Sequence, residues 1–212
     1  MATKKFSKGE AIRFGWNTMK NNLGFFIGLL IVAGLITIIP TFLQVATQGD
    51  APGLSFIFAI ISGVLQLIIE MGMIKIALKF ADNTKAEFGD LFSCFPLFFK
   101  YLGSSILYGL ITLGGLILLI IPGIIWGIKF YFFGYFIVDQ GTGPIEALKR
   151  SSSITMGAKW DLFLFGLLII GINILGFLAL VIGLFATIPT SMVAIAFVYR
   201  KLLAQAEVAT NA

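Results

Sequence analysis

Six apolar runs of membrane length, separated by short polar stretches, constrain this chain more than any other feature. They occupy residues 23–45, 54–80, 101–121, 124–138, 160–186 and 189–203. The runs are continuous rather than alternating, and most approach the roughly 20 residues that an α-helix needs to cross a bilayer. A spanning β-barrel would alternate polar and apolar positions instead. With 58% hydrophobic and 12% charged residues, the chain carries more apolar surface than a soluble domain of its length can bury. The expected fold class is an all-α integral membrane protein with six transmembrane helices in three hairpins. Each hairpin is preceded by an amphipathic helix at the cytoplasmic face.

The polar stretches support that layout. In residues 1–22, Ile12, Trp16 and Met19 fall at helical spacing, while Arg13, Asn17 and Lys20 share the opposite side. This predicts an amphipathic helix lying in the interface. Residues 81–100 carry Phe88, Leu91, Phe92 and Phe95 at helical spacing, which predicts a second surface helix. Residues 144–157 open on a proline and close on a glycine, with Lys149, Arg150 and three serines between, predicting a third. The first apolar run begins too late for a signal peptide and reads as a retained helix. Residues 204–212 read as a frayed tail.

Lysine and arginine set the topology. They gather in the N-terminal region, in the connections at 79–100 and 149–159 and at 200–201, whereas residues 46–53, 122–123 and 184–189 hold none. By the positive-inside rule both termini face the cytoplasm of a prokaryotic inner membrane. The formal net charge of +5 then reflects contact with lipid headgroups, not with nucleic acid. The whole chain reads as one membrane domain, with hairpin units at 1–80, 81–140 and 141–203 and the tail at 204–212. The prolines at 40, 122 and 189 sit at the hinges, and Glu10-Ala11-Ile12-Arg13 matches Glu146-Ala147-Leu148-Lys149 in type, which suggests a parallel internal repeat. Independent hairpins that each need a turn and a polar lead-in would give the same pattern.

Chemistry-bearing constellations are sparse. The chain has one cysteine, Cys94, and no histidine, so neither a disulfide nor a Cys/His metal site is available. A catalytic triad and a phosphate-binding loop are also missing. The expectation is a non-enzyme without cofactors.

Two charges lie inside apolar runs, Glu70 in the second and Lys129 in the fourth. Buried charge in a membrane is costly, so such residues pair or face the bundle interior. Either Glu70 and Lys129 pair, or Glu70 alone is a proton- or cation-responsive site, or Glu70 is hydrated near the boundary while Lys129 snorkels outward. Lys75 and Lys79 follow Glu70 closely and favour the last arrangement. Asn173 and Gln66 are candidates for hydrogen bonds between helices. Arg13, Lys20, Lys149 and Arg150 are candidate contacts to lipid headgroups.

Several short motifs carry a family resemblance: Ile121-Pro122-Gly123-Ile124, Asp139, the run from Gly143 through Pro144-Ile145-Glu146-Ala147-Leu148-Lys149-Arg150 to Ser151, and Gly157-Ala158-Lys159-Trp160. Phe88-Gly89-Asp90-Leu91-Phe92 and Tyr199 fit the same pattern. On these residues the chain resembles the glycerophosphodiester phosphodiesterase membrane-domain-like proteins of prokaryotes. The resemblance implies a multi-pass membrane region without implying phosphodiesterase activity, since the spans leave no room for that family's fused catalytic domain.

The expected role is a membrane module that organises lipids, or a membrane or cytoplasmic protein partner, through its three cytoplasmic-face helices. The alternative is a small transporter for a lipid-like or amphiphilic solute. The sequence specifies no oligomeric state.

Overall fold

The computed structural model describes residues 6–211. Among the described residues the chain forms nine helices and two short 3-10 turns, with no strand. The helices are α1 (Lys8–Asn21), α2 (Leu23–Thr47), α3 (Pro52–Ala81), α4 (Phe98–Leu118), α5 (Ile120–Phe130), α6 (Phe133–Gln140), α7 (Pro144–Thr155), α8 (Lys159–Leu178) and α9 (Leu184–Asn211). The six stretches Leu23–Thr47, Pro52–Ala81, Phe88–Leu118, Ile120–Gln140, Lys159–Leu178 and Leu184–Val208 are long and apolar enough to cross a membrane.

Consecutive long helices pack in antiparallel pairs. In the first pair, Phe26 of α2 meets Phe80 of α3, while Ser55 of α3 donates to the Gln44 carbonyl of α2 at 2.9 Å. Tyr108 of α4 donates to the Gly127 carbonyl of α5 at 3.3 Å, and Gly115 approaches Gly123 and Trp126 so closely that any added Cβ would collide. In the third pair, Gly176 of α8 lies against Thr187 in α9 and Gly183 in the preceding turn. Small residues bring backbones together where lipid supplies no hydrophobic drive.

The core gathers at one end of the bundle. There α6 is buried from Phe133 to Val138, among the ends of α3 and α9 and the length of α7. Four ion pairs hold that end: Lys8 to Asp161 at 2.6 Å, Lys79 to Asp90 at 2.6 Å, Arg200 to Asp82 at 2.6 Å and Arg200 to Asp139 at 2.6 Å. Arg200 spends both edges of its guanidinium, with Nε and Nη2 on Asp82 at 2.8 and 2.6 Å and Nη1 and Nη2 on Asp139 at 2.6 and 2.8 Å. Tyr199 also donates to Asp139, at 3.1 Å. Bidentate geometry of this kind is specific to arginine.

Several expectations give way here. The first helix buries Ala11, Gly15 and Met19 against α9, leaving Trp16 42% exposed and Ile12 half-buried. At Gly15 an added Cβ would stand 2.3 Å from the Thr190 carbonyl oxygen, so packing follows the small side chains and not the bulky ones. Residues 81–100 form no surface helix. Asp90 instead turns back to accept the Glu87 N–H at 2.7 Å and the Lys79 ammonium, folding Phe88–Leu91 and Phe95–Leu97 into 3-10 turns. Leu91 then fits against Gly72 of α3, while Phe92 and Phe95 remain exposed.

Proline positions also differ from the expected hinges. The chain leaves α4 at the extended Leu119, and Pro122 lies within the first turn of α5, where its missing N–H costs nothing. Pro40 and Pro189 are inside α2 and α9. The fifth run ends early, at Leu178, and its turn holds Leu180 and Val181 at φ of 55° and 65°. The expected tail is helical, since α9 continues to Asn211 and Ala206 packs on the core.

Candidate functional site

The fourth apolar run is not one helix. It breaks at Tyr131-Phe132, between α5 and α6, and irregular backbone within an apolar bundle needs hydrogen-bond partners. Helix α7 supplies them. Ser151 Oγ accepts the Phe132 N–H at 3.0 Å and donates to the Lys129 carbonyl at 3.1 Å, while Thr155 Oγ1 donates to the same carbonyl at 3.0 Å. The serine run thus presents one buried member, Ser151, as a cap for the break.

That break turns aromatic residues toward a space that opens to the molecular surface, where Tyr131 is 46% exposed. Tyr131, Phe133, Gly134 and Tyr135 line a cavity of about 470 Å³ together with residues of α3, α4, α8 and α9. Its polar groups are Glu70, Asn173, Ser191 and four tyrosines, Tyr101, Tyr108, Tyr131 and Tyr135. Close packing at Gly134, where a Cβ would lie 2.9 Å from the Tyr101 ring, brings α6 against α4. A second cavity of about 370 Å³ adjoins it and is lined by apolar residues such as Ile124, Ile128, Leu162 and Ile170. Both spaces share Tyr108, Tyr131, Ile169 and Ile195 in their walls. A lobe with polar groups in its wall thus adjoins an apolar one across these four side chains.

Glu70 is exposed and, among the described residues, is the one charged side chain lining either lobe. Its carboxylate lies within electrostatic reach of Tyr101, Tyr131 and Tyr135. It stands about 27 Å along α3 from Pro52, at 1.5 Å per residue. Asn173 donates to Ser191 Oγ at 2.9 Å, from α8 to α9, and to the Ile169 carbonyl at 2.9 Å. Its Oδ1 is buried with no hydrogen-bond partner among the described residues.

The remaining residues singled out in the sequence lie elsewhere. Lys129 is partly exposed and holds its ammonium 4.9 Å from the Phe130 ring centre; among the described residues it makes no ion pair with Glu70. Gln66 is exposed and lines neither lobe. Arg13, Lys20, Lys149 and Arg150 are exposed. Lys20 lies 5.9 Å from the Trp16 ring centre, and Arg150 pairs with Glu146 at 2.7 Å and bonds Gln140.

Comparison with known proteins leads to families without an assigned role. Residues 110–206 match a family described as "Protein of unknown function (DUF975)". The uncharacterised protein Mb2590 of Mycobacterium bovis is 26% identical over 224 residues, covering 93% of this chain and 69% of its own length. The uncharacterised protein MT2637 of Mycobacterium tuberculosis is similar to the same extent. No solved structure matches the chain. None of these similarities leads to the glycerophosphodiester phosphodiesterase membrane-domain-like proteins whose motifs the chain resembles. The matched segment includes Tyr131, Tyr135, Asn173 and Ser191, and it stops short of Glu70 and Tyr101.

The tyrosines escaped sequence reading because aromatic residues in apolar runs look like ordinary core or interface residues. A signal was present: Tyr101 and Tyr108 are seven apart on one face of α4, and Tyr131 and Tyr135 follow four apart.

Proposed function

We propose that this protein draws a lipid-like amphiphile out of the bilayer and holds it in the two-lobed cavity, as a non-enzymatic lipid-organising membrane module. The observation carrying this reading is the adjacency of a lobe with polar groups and an apolar lobe that share four wall residues, which matches the two parts of an amphiphile. The distribution of lysine and arginine supports a prokaryotic inner-membrane location with both termini cytoplasmic. In that orientation Arg13, Lys20, Lys149 and Arg150 face anionic headgroups on the cytoplasmic leaflet, each adding about 1 kcal/mol of attraction. The pairs α2–α3, α4–α5 and α8–α9 then form three hairpins entering from that side. Any threefold repeat resides in the recurrence of these pairs, since the three prolines occupy unlike helical positions.

The test is native mass spectrometry from nanodiscs made with the host membrane's lipids. Gly166 lines the apolar lobe, and a Cβ built on it meets nothing within 4 Å, so Gly166→Phe fills the lobe without a backbone clash. The expected result is a co-purifying lipid on the wild type that is lost in this variant. Equal lipid retention by both would contradict the reading. Transport of such a solute is the second reading, favoured by polar groups contributed to the same cavity by α3, α8 and α9.

A further inference from the structure

We infer that the polar lobe selects a cationic nitrogen, so that the amphiphile it takes is a long-chain ammonium compound. The inference rests on the amphiphile-binding reading above and adds the headgroup to it.

Charge is the first argument. Glu70 is the sole ionisable acid or base, tyrosines aside, on the walls of either lobe, and no described lysine or arginine pairs with it. Lys75, five residues further along α3, lies within electrostatic reach of Asp90 and Cys94, and Lys129 has its ammonium over Phe130. An anionic headgroup entering this lobe would meet a carboxylate with no compensating cation, whereas a cation would neutralise it.

Aromatic surroundings are the second argument. The chain has five tyrosines, and Tyr101, Tyr108, Tyr131 and Tyr135 all line this one lobe. Tyrosine faces attract cations through the ring quadrupole, most strongly when water is excluded. Carboxylate and aromatic walls together form a receptor for cationic nitrogen, and the adjoining apolar lobe receives the hydrocarbon chain.

The experiment is native mass spectrometry of the full chain released from an uncharged polyoxyethylene detergent, with four C16 probes added in turn. These are hexadecylamine, hexadecyltrimethylammonium, hexadecanol and hexadecanoate. Wild-type protein should bind hexadecylamine and the trimethylammonium compound on the order of tenfold more tightly than hexadecanol, with hexadecanoate weakest. Glu70→Gln should remove most of the amine preference and leave hexadecanol binding unchanged. Equal binding of amine and alcohol by the wild type, or a preference for hexadecanoate, would overturn the headgroup inference while leaving the cavity reading intact. Failure of all four probes to bind, or binding untouched by Gly166→Phe, would overturn the cavity reading itself and the inference with it. Should Glu70→Gln misfold, the wild-type ranking of the four probes still decides.

Discussion

The two ends of the bundle are built on different principles. At one end, α1, α6, α7 and the last turns of α3 and α9 enclose Met71, Ile76, Tyr199 and Leu202 and are fastened by ion pairs. At the other, helices touch mainly in pairs. Beyond Ala33 no residue of α2 is buried, and before Ile68 only Ser55 of α3 is; Gly115 is the last buried residue of α4 and Gly176 of α8. Ile38, Phe42, Leu113 and Ile182 there are all largely exposed. Apolar side chains gain nothing by leaving lipid for one another, so helices stay together at that end only through small-residue contacts. Charged and hydrogen-bonded groups, by contrast, gain from mutual contact and draw the first end into a core. The cavity lies where one regime passes into the other.

Breaking the packed end should have the largest effect. Arg200→Ala strands Asp139 and Asp82 together without a cation and is expected to cost about 3 kcal/mol of stability. Thermal unfolding in detergent measures it. Arg200→Lys should recover only part of the loss, because an ammonium cannot fork two carboxylates.

Glycines sharpen the contrast next. At Gly72 an added Cβ would lie 2.2 Å from the Leu91 carbonyl oxygen, a backbone atom that cannot step aside. Gly72→Ala is expected to destabilise by about 1–3 kcal/mol. At Gly114, near the open end, a Cβ meets nothing within 4 Å, and Gly114→Ala should be neutral or stabilising by up to about 1 kcal/mol. Unfolding midpoints of the two variants side by side give the comparison.

A smaller effect is expected at the border. Ser151→Ala removes the partner of the Phe132 N–H and one of two donors to the Lys129 carbonyl, at a cost of about 1–2 kcal/mol. Its check is a combined reading of stability and of amphiphile retention, since the break that Ser151 caps also positions Tyr131 and Tyr135. Lys129→Met should change stability by no more than about 0.5 kcal/mol, because that lysine fastens nothing across the bundle. A loss as large as that of Arg200→Ala would restore the Glu70–Lys129 pair.

The sequence makes the open end legible and the packed end much less so. Long apolar runs declare the six stretches directly, because lipid imposes length and continuity on each helix by itself. The packed end depends on partners far apart in the chain: Arg200 meets Asp82 and Asp139 across 118 and 61 positions, and no local spacing announces such a meeting. The first helix shows the same limit, since the face it buries was chosen by the fit of Gly15 to α9. Glu70 and Asn173 stood out because polar residues are rare in apolar runs. Their tyrosine surroundings come from four places in the chain and could be assembled only by the fold.

The most direct test of the central claim uses a lipid carrying a diazirine at mid-chain, reconstituted with the protein, irradiated, and mapped by peptide mass spectrometry. The account expects adducts concentrated on the cavity wall, at Ile128–Tyr131 and Phe163–Ile170, and reduced there by Gly166→Phe. Adducts spread over Ile38, Leu113 and Ile182 in proportion to exposure, with the cavity wall unlabelled, would contradict it.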